Sequence, residues 1–366
     1  MKIIRLFIII LLTSGFYCGD KEKSNISADT VSVVNQVKDT VSEYISVIGV
    51  GDIMLGSNYP TSSSLPPNDG ETILDDVKNI LSDADITTGN LEGCFLDKGG
   101  TPKDCGGTGE NCHSFRMPTH YAGYLKNAGF DYMSVANNHS GDMGKTGRES
   151  TYNTLKEYGI AFSGTDDYPH TIIESKGKKI GIAGFAPNRG CIDLRKINEA
   201  KEIISELKSK TDIVIVWFHG GAEGSGAQHI TKKPETYMNE NRGNVYEFAH
   251  SVIDAGADLV FGSGPHVTRA VELYKGKFIA YSLGNFCTYG KFGLSGQLGI
   301  APVIKVYINN KGEFVKSEVT SAKQINRGFP VIDETGKAFS TLKKLTETDF
   351  PETGLTFEEN AIKNRY

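Results

Sequence analysis

The sequence predicts an α/β fold, and three features of the chain support this assignment. Apolar runs typical of buried strands alternate with helical patterns from residue 44 to about residue 270. The end of the chain instead resembles antiparallel hairpins, which turn at residues 275–276 and 310–312. The composition, 39% hydrophobic and 23% charged over 366 residues, is that of a globular protein with one large or two small domains.

The alternation is regular enough to assign each element. The predicted strands are YISVIGVGDIML (44–55), ADITTGNLE (84–92), DYMSVANN (131–138), KKIGIAGFAP (178–187), DIVIVWFHG (212–220) and ADLVFGSGPH (257–266). Apolar residues recur at helical spacing in 71–84, 118–130, 147–160, 195–210 and 241–256. Such an order favours right-handed βαβ units whose helices cover the sheet.

The chain begins with a segment typical of a secretory signal, residues 1–18. An apolar stretch from Ile8 to Leu12 follows two early cations and is too short to span a bilayer. Cys18 lies where a bacterial lipoprotein carries its lipid, which predicts an exported protein anchored at the cell membrane, the outer surface or the periplasm. Phe16 and Tyr17 replace the small residues usual before such a cysteine, so a plain signal that is cut off is the alternative.

The rest of the chain divides into three parts. Residues 19–44 are polar and form a tether, residues 45–325 form the folded domain, and residues 326–366 form a peripheral tail with one helix. The net charge of −5 gives no basic face for nucleic acid, so we expect no nucleic-acid partner.

Export would place the remaining five cysteines in an oxidising compartment. Cys105 and Cys112 flank a flexible loop that a disulfide could close, and at least one of Cys94, Cys191 and Cys287 is left unpaired because five is odd. None has the spacing of a structural zinc site.

Polar residues collect at the ends of the predicted strands, most visibly in SVANNHSGDMG (134–144). Since the carboxyl ends of parallel strands meet at one sheet edge, these side chains should converge there. They are Asp52, Asn90, Glu92, Asn138, His139, His219 and His266. Taken singly, each could be a turn former or a core histidine. Together they form an oxygen and nitrogen ligand set suited to one or two divalent ions, Zn, Mn, Fe or Mg, which would activate a water molecule near neutral pH.

These segments resemble the CapA family of poly-γ-glutamate capsule synthesis proteins, a branch of the calcineurin-like metallophosphoesterases. The matching motifs are GDIMLG (51–56), TGNLEG (88–93), FRMP (115–118), ANNHSGDMG (136–144), WFHGGAE (217–223), GADLVFGSGPHV (256–267) and YSLGNF (281–286). The resemblance implies a four-layer α/β/β/α sandwich with a metal site at the sheet edge.

The resemblance also implies roles for individual residues. Metal ligands are expected at Asp52, Asn138, His219 and His266, with Glu92 favoured over Asn90 as the bridging ligand because a carboxylate bridges two cations better than an amide. His139 would act on the leaving group or the phosphoryl oxygens, supported by Asp142. Apart from the resemblance, the planar fork of Arg116 in FRMP could bind a carboxylate or phosphate, with a surface salt bridge as an equal alternative, and Asn137 is the other candidate for binding substrate.

Two departures from the superfamily pattern reduce the ligand set. Met54 and Gly264 stand where histidines are expected, which favours one well-held metal and a weaker second site. Asp142, Glu223 and His229 lie near the motifs and could substitute, although a supporting or surface position is the favoured interpretation for each.

We therefore expect an exported, metal-dependent hydrolase of the phosphoesterase type in capsule or poly-γ-glutamate biosynthesis. Its substrate would be a phosphoester or an acidic polymer, and its partners the membrane and other capsule-synthesis membrane proteins. The alternatives are a non-catalytic component that binds the polymer at a degenerate metal site, and a hydrolase of γ-peptide links.

Overall fold

The computed structural model describes residues 44–103 and 113–365, which all belong to one compact unit. The predictions for the signal segment, Cys18, the tether and the Cys105–Cys112 disulfide lie outside these residues, except that Tyr44 begins the first strand. The described cysteines Cys94, Cys191 and Cys287 are all free and buried.

Strands and helices alternate through most of the described chain. In chain order the strands are β1 (Tyr44–Met54), β2 (Ile86–Leu91), β3 (Cys94–Phe95), β4 (Arg116–Met117), β5 (Tyr132–Ser134), β6 (Ala161–Ser163), β7 (His170–Ser175), β8 (Lys178–Phe185), β9 (Ile213–His219), β10 (Glu235–Tyr237), β11 (Glu240–Gly243), β12 (Leu259–Ser263), β13 (Val271–Tyr274), β14 (Lys277–Ala280), β15 (Asn285–Thr288), β16 (Ile300–Asn309), β17 (Phe314–Ile325), β18 (Phe329–Ile332), β19 (Leu355–Glu358) and β20 (Ala361–Asn364).

The helices lie at the predicted places, with ends that differ by up to four residues, and the third begins and ends three residues before the predicted segment. They are α1 (Asp75–Leu81), α2 (Tyr121–Asn127), α3 (Gly144–Glu157), α4 (Ile197–Lys210), α5 (Val245–Asp254) and α6 (Lys337–Asp349), with 3-10 turns at Pro67–Gly70 and Gly296–Gly299. Gly129 and Gly159 follow α2 and α3 with φ of +99° and +65°, a left-handed conformation that ends a helix. Among the described residues, no helix is long and apolar enough to cross a membrane.

Two large sheets carry the fold. The first has the order β19-β20-β17-β16-β1-β2-β5-β6, with β15 beside β1 and β18 beside β17. The second has the order β13-β14-β12-β9-β8-β7. The central strands β1, β2, β5 and β6 of the first sheet are parallel, as are β8, β9, β12 and β14 of the second. The predicted βαβ units are confirmed.

The two sheets pack face to face. Side chains alternate across a strand, so Ile45 and Val47 of β1 point into the space between the sheets, where they join a core that contains Trp217 and Phe261 of the second sheet. The rings of Trp217 and Phe261 lie 5.2 Å apart. Burial of this apolar surface is the main force that holds the sheets together.

Helices cover both outer faces. Leu81, Leu125 and Leu155 of α1 to α3 pack in a second core on the first sheet. Leu207 and Phe248 of α4 and α5 pack on the second sheet. The four layers, α/β/β/α, are those that the sequence predicts by resemblance.

Residues 326–365, in the segment that the sequence predicts to be a peripheral tail, are part of the folded domain. Residues beyond 326 form the expected helix, α6, but they also supply β18, which pairs with β17, and the hairpin β19–β20, whose second strand pairs with β17. Leu342 and Ile362 are fully buried in the core between the sheets. The segment therefore completes the first sheet.

Candidate metal centre

The candidate site lies where strands of both sheets end. In the first sheet, Asp52 at the end of β1 is in register with Asn90 of β2 and with Asn285 of β15. In the second sheet, His219 at the end of β9 is in register with Ser263 of β12. The register of β1 shifts on both sides of Asp52, an irregularity common next to functional sites.

Three potential metal ligands meet at this point. Asp52, Glu92 and His219 are completely buried, and each offers a ligand atom within 4.8 Å of the other two. Asn90 connects the two carboxylates, because its Nδ2 donates to Asp52 Oδ1 at 2.8 Å and to Glu92 Oε2 at 2.6 Å. Asn90 thus holds the two carboxylates in place. Glu92, which the sequence favours over Asn90 as the bridging ligand, lies beside Asp52.

Asn137 fixes this arrangement from behind. Its Nδ2 donates to Asn90 Oδ1 at 3.0 Å and to the Leu91 carbonyl, and its Oδ1 accepts from the His139 amide. All of its polar groups are thereby engaged by the protein. Its position is that of a brace for the ligand loop, in contrast to the substrate contact expected from the sequence.

Two atoms of this group, Glu92 Oε1 and His219 Nε2, are buried and have no hydrogen-bond partner among the described residues. Asn138 Oδ1, on the residue before His139, is a third such atom. An unpaired buried polar atom costs about 1–3 kcal/mol, so these atoms require an explanation. A carboxylate oxygen, an amide oxygen and an imidazole nitrogen form a donor set that suits a divalent cation, and the residues therefore fit one.

The electrostatics of the group lead to the same conclusion. Burial, reinforced by the charge of Asp52, raises the pKa of Glu92 to about 8. Burial, with the charge of Arg242, holds the pKa of His219 well below its usual range, so this ring is neutral and able to bind a metal. Without a cation, Glu92 therefore keeps its proton beside Asp52 at neutral pH, and a bound cation would favour the ionised carboxylate.

His139 lies at the edge of the group, as the sequence predicts. Its Nδ1 is 2.7 Å from Asp142 Oδ2, and its Nε2 is 3.8 Å from Glu92 Oε1, too long for a hydrogen bond. The Phe115 ring stacks on the imidazole at 4.1 Å. Burial lowers the pKa of His139 to about 4 against the opposing charge of Asp142, so the ring is neutral at pH 7.

Lys103 is a site residue that the sequence did not reveal. Its Nζ lies 2.8 Å from Asp142 Oδ1 and 3.2 Å from both His139 Nδ1 and the Asn138 carbonyl. From the sequence it belongs to a small cluster of cations, residues 98–103, for which a solvated position is expected. The contacts of Lys103 with this site arise only when its loop folds onto the ANNHSGD segment, which the sequence does not predict.

His266 contacts Asp52 directly. Its Nδ1 is 2.8 Å from Asp52 Oδ2 and 3.1 Å from Asn285 Oδ1, while its Nε2 is 3.7 Å from Glu223 Oε2. Burial disfavours the charged ring, but the hydrogen bond to Asp52 and the nearby carboxylates raise the pKa of His266 to about 9. Its φ of +60° is unusual for a residue other than glycine and is typical of a functional position.

The two departures from the superfamily pattern have structural reasons. Met54 is completely buried in the core beneath the helices. Gly264 has φ +114°, and a Cβ atom there would lie 2.8 Å from the Gly220 nitrogen, so no side chain fits. His229 cannot substitute, because its exposed ring pairs with Asp349 at 2.7 Å.

The guanidinium of Arg116 bonds to neighbouring loops. Its Nε donates to Asn58 Oδ1 at 2.6 Å and one terminal nitrogen to the Gly99 carbonyl at 2.7 Å, and the group lies over the Tyr59 ring. These contacts connect three loops. These contacts occupy much of its hydrogen-bonding fork and support a structural role, while the role in substrate binding stays a prediction.

Comparison with known proteins gives a consistent picture. The sequence model for the bacterial capsule synthesis protein PGA_cap matches residues 46–289. The chain is 28% identical over 278 residues to the capsule biosynthesis protein CapA of Bacillus anthracis, which covers 69% of this chain and 62% of that protein. It is 27% identical over 267 residues to the PGA biosynthesis protein CapA of Bacillus subtilis, with coverage of 69% and 65%. The chain thus matches less than two thirds of the length of these relatives.

Among solved structures, the chain is similar to a putative 5'-nucleotidase from Staphylococcus aureus. The TM-score is 0.45 and the identity 15%, with 82% of this chain and 58% of the other covered.

Proposed function

Since the chain belongs to the bacterial capsule synthesis protein PGA_cap family, we propose that it is a metal-dependent hydrolase of the phosphoesterase type in capsule or poly-γ-glutamate biosynthesis. Its substrate is a phosphoester or an acidic polymer. The match to only part of the CapA relatives makes this a proposal about the described domain.

One observation carries the proposal. Glu92 Oε1 and His219 Nε2 are buried and unpaired within the described part of the chain, and both residues offer ligand atoms close to the fully buried Asp52. Asn138 Oδ1, next to His139 in the sequence, is unpaired as well. Asp52, Glu92, Asn138 and His219 would hold a divalent ion, which would polarise the scissile bond and supply an activated water. Its identity among Mn, Zn, Fe and Mg is left open by the mixed oxygen and nitrogen donors.

His139, supported by Asp142, then accepts a proton during the reaction. Because Asp142 accepts the hydrogen of His139 Nδ1, the lone pair of the neutral ring is on Nε2, on the side of Glu92. Nε2 is therefore placed to accept a proton or a hydrogen bond from a group bound at the metal ligands. The stacked Phe115 ring excludes water from one face of the imidazole.

The location of the protein is part of the proposal. The N-terminal segment supports export and attachment to the membrane through a lipid on Cys18, where the protein would meet other membrane components of capsule synthesis. Mass spectrometry of the mature N-terminus tests this, and cleavage at any position other than before Cys18 contradicts it.

A second function is favoured by the two lost histidines. With Met54 in the core and no space for a side chain at Gly264, the protein could bind an acidic polymer at a reduced metal site without cleaving it. The acidity of the chain argues against a broad polyanion-binding surface. We therefore place the hydrolase first.

The two functions differ in metal content and turnover. The experiment compares the wild type with Asp52→Asn, and uses Asp69→Asn, which changes an exposed carboxylate, as the matched control. We expect at least one divalent ion per chain and cleavage of bis(p-nitrophenyl) phosphate, both lost in Asp52→Asn and kept in Asp69→Asn. Metal binding without turnover of this diester or of poly-γ-glutamate would favour the polymer-binding function, and absence of both metal and turnover would refute the hydrolase.

A further inference from the structure

Two phenylalanine rings connect the histidines that border the buried ligand group. The centre of the Phe115 ring lies 4.1 Å from that of His139 and 5.2 Å from that of Phe292. The Phe292 ring in turn lies 5.2 Å from the His266 ring, edge to face. Since His139 lies beside one carboxylate of the group and His266 contacts the other, these four rings form an aromatic row along the candidate metal centre.

The route from solvent to the candidate metal ligands runs past the aromatic row. Asp52, Glu92 and His219 are completely buried. His139 and His266 keep 8% and 12% of their side chains exposed. A molecule that reaches the buried ligand atoms therefore passes these two imidazoles and the phenylalanine rings between them.

Phe292 is the phenylalanine of the row that solvent reaches. It is partly exposed, whereas Phe115 is only 2% exposed. Phe292 lies in the connection between β15 and the 3-10 turn Gly296–Gly299, a segment without helix or strand. Contacts of its ring with Phe115 and His266, rather than regular secondary structure, hold it beside the centre. Part of Phe292 is therefore left for contact with a bound molecule.

Positive charge lies near the same row. The His113 ring stacks on the Phe115 ring with centres 6.3 Å apart. Burial, together with the charges of Lys291 and Lys103, lowers the pKa of His113, so both cations are close to this ring. Lys291 is also the chain neighbour of Phe292. Apolar ring faces beside positive charge suit an anion that carries an apolar group.

An aromatic wall discriminates between the two substrate classes considered above. A flat, apolar group that packs on a phenylalanine ring strengthens binding by up to about tenfold. The carboxylates of an acidic polymer would lose hydration at the ring faces and find no hydrogen-bond donor there. The aromatic row thus favours an ester whose organic group is flat and apolar.

We propose that Phe292 determines substrate specificity, because its ring packs against the organic group of a phosphoester. The phosphoryl group then lies at the candidate metal ligands, and the group next to it is flat and apolar. This inference rests on the proposed function, and it selects the phosphoester over the acidic polymer. Phe115 supports the Phe292 ring from the side of His139.

Binding of two phosphonates tests the inference independently of turnover, because a phosphorus–carbon bond is not an ester. Isothermal titration calorimetry measures the affinity of the Mn²⁺-loaded protein for phenylphosphonate and for methylphosphonate. We expect the wild type to bind phenylphosphonate about 10-fold more tightly. Phe292→Asn should reduce this preference to about twofold or less and change the affinity for methylphosphonate by no more than about threefold.

Two further variants separate the effect of the ring from a general effect on folding. Phe292→Tyr keeps an aromatic ring and should keep the preference for phenylphosphonate. Phe357→Asn makes the same substitution at a partly buried phenylalanine of β19 and should also keep it. Circular dichroism of all variants should match that of the wild type.

The outcomes for specificity and for hydrolysis are distinguishable. Equal affinities of the wild type for the two phosphonates, or an undiminished preference in Phe292→Asn, would overturn the inference. Cleavage of bis(p-nitrophenyl) phosphate alongside either result would leave the proposed function standing. A preference that depends on Phe292, without turnover of the diester, would support the inference about binding and refute the hydrolase.

Discussion

Replacement of Glu92 by glutamine should change how the stability of the metal-free protein depends on pH. Glu92 is completely buried beside Asp52, and its pKa is raised from 4.5 to about 8. A raised pKa means that the folded state holds the proton more tightly than the unfolded state. The stabilisation is complete below pH 4.5 and is lost as the pH rises through about 8.

The size of the stability change follows from the pH interval between the ordinary pKa of Glu92, 4.5, and its raised pKa of about 8. Within it, each pH unit changes the contribution of Glu92 to the folding equilibrium about tenfold, which amounts to about 3 kcal/mol between pH 5 and pH 7. The histidines of the site are present in both proteins, so the difference between wild type and Glu92→Gln isolates the carboxyl group. Glutamine keeps the shape and cannot ionise.

Urea unfolding in the presence of a chelator measures this difference. We expect the wild type to lose about 3 kcal/mol relative to Glu92→Gln from pH 5 to pH 7. Saturating Mn²⁺ should reverse the order at pH 7, because the ionised carboxylate binds the cation and the amide does so poorly. A difference that is constant with pH, or an equal gain from Mn²⁺ in both proteins, would refute the reasoning.

Two further substitutions test other parts of the site. Asp142→Asn should lower kcat about 10- to 100-fold with little change in KM, because His139 loses the partner that fixes its Nδ1 hydrogen. Steady-state kinetics with a phosphodiester measure this change, and an unchanged kcat contradicts the prediction. Gly264→Ala should destabilise the fold by about 2–4 kcal/mol in urea unfolding, since its Cβ would meet the Gly220 backbone at a left-handed φ. Gly159→Ala, at a positive φ of +65° and with open space around the Cβ position, should cost no more than about 2 kcal/mol, and equal losses would refute the steric explanation.

The sequence predicts the centre of the site because topology alone brings it together. Asp52, Asn90 and His219 each lie at the end of a segment that the sequence predicts to be a buried strand. Parallel strands then place their carboxyl ends at one edge, whatever the details of packing. The structure brings these residues together there.

The residues that the sequence misses depend on contacts between loops. Lys103 reaches Asp142 from a loop without regular structure. Arg242 comes from the hairpin β10–β11, whose strands of three and four residues contain too few apolar side chains to show a period of two. No local pattern distinguishes such cations from solvated ones.

Arg116 shows a structural role that the sequence does not reveal. A guanidinium in a motif near the site suggests recognition of an anion. In the folded protein the same fork satisfies carbonyl and amide oxygens of neighbouring loops. The strands of the chain end were missed for a related reason, since β19 and β20 each place only one side chain deep in the core, Leu355 and Ile362.

A crystal structure grown with Zn²⁺ and measured at the zinc absorption edge tests the central claim most directly. We predict an anomalous peak about 2.0–2.2 Å from ligand atoms of Glu92, Asn138 and His219, next to Asp52. A map without a peak at these atoms, in a protein whose four side chains keep the positions described, would contradict the claim that they form a metal centre.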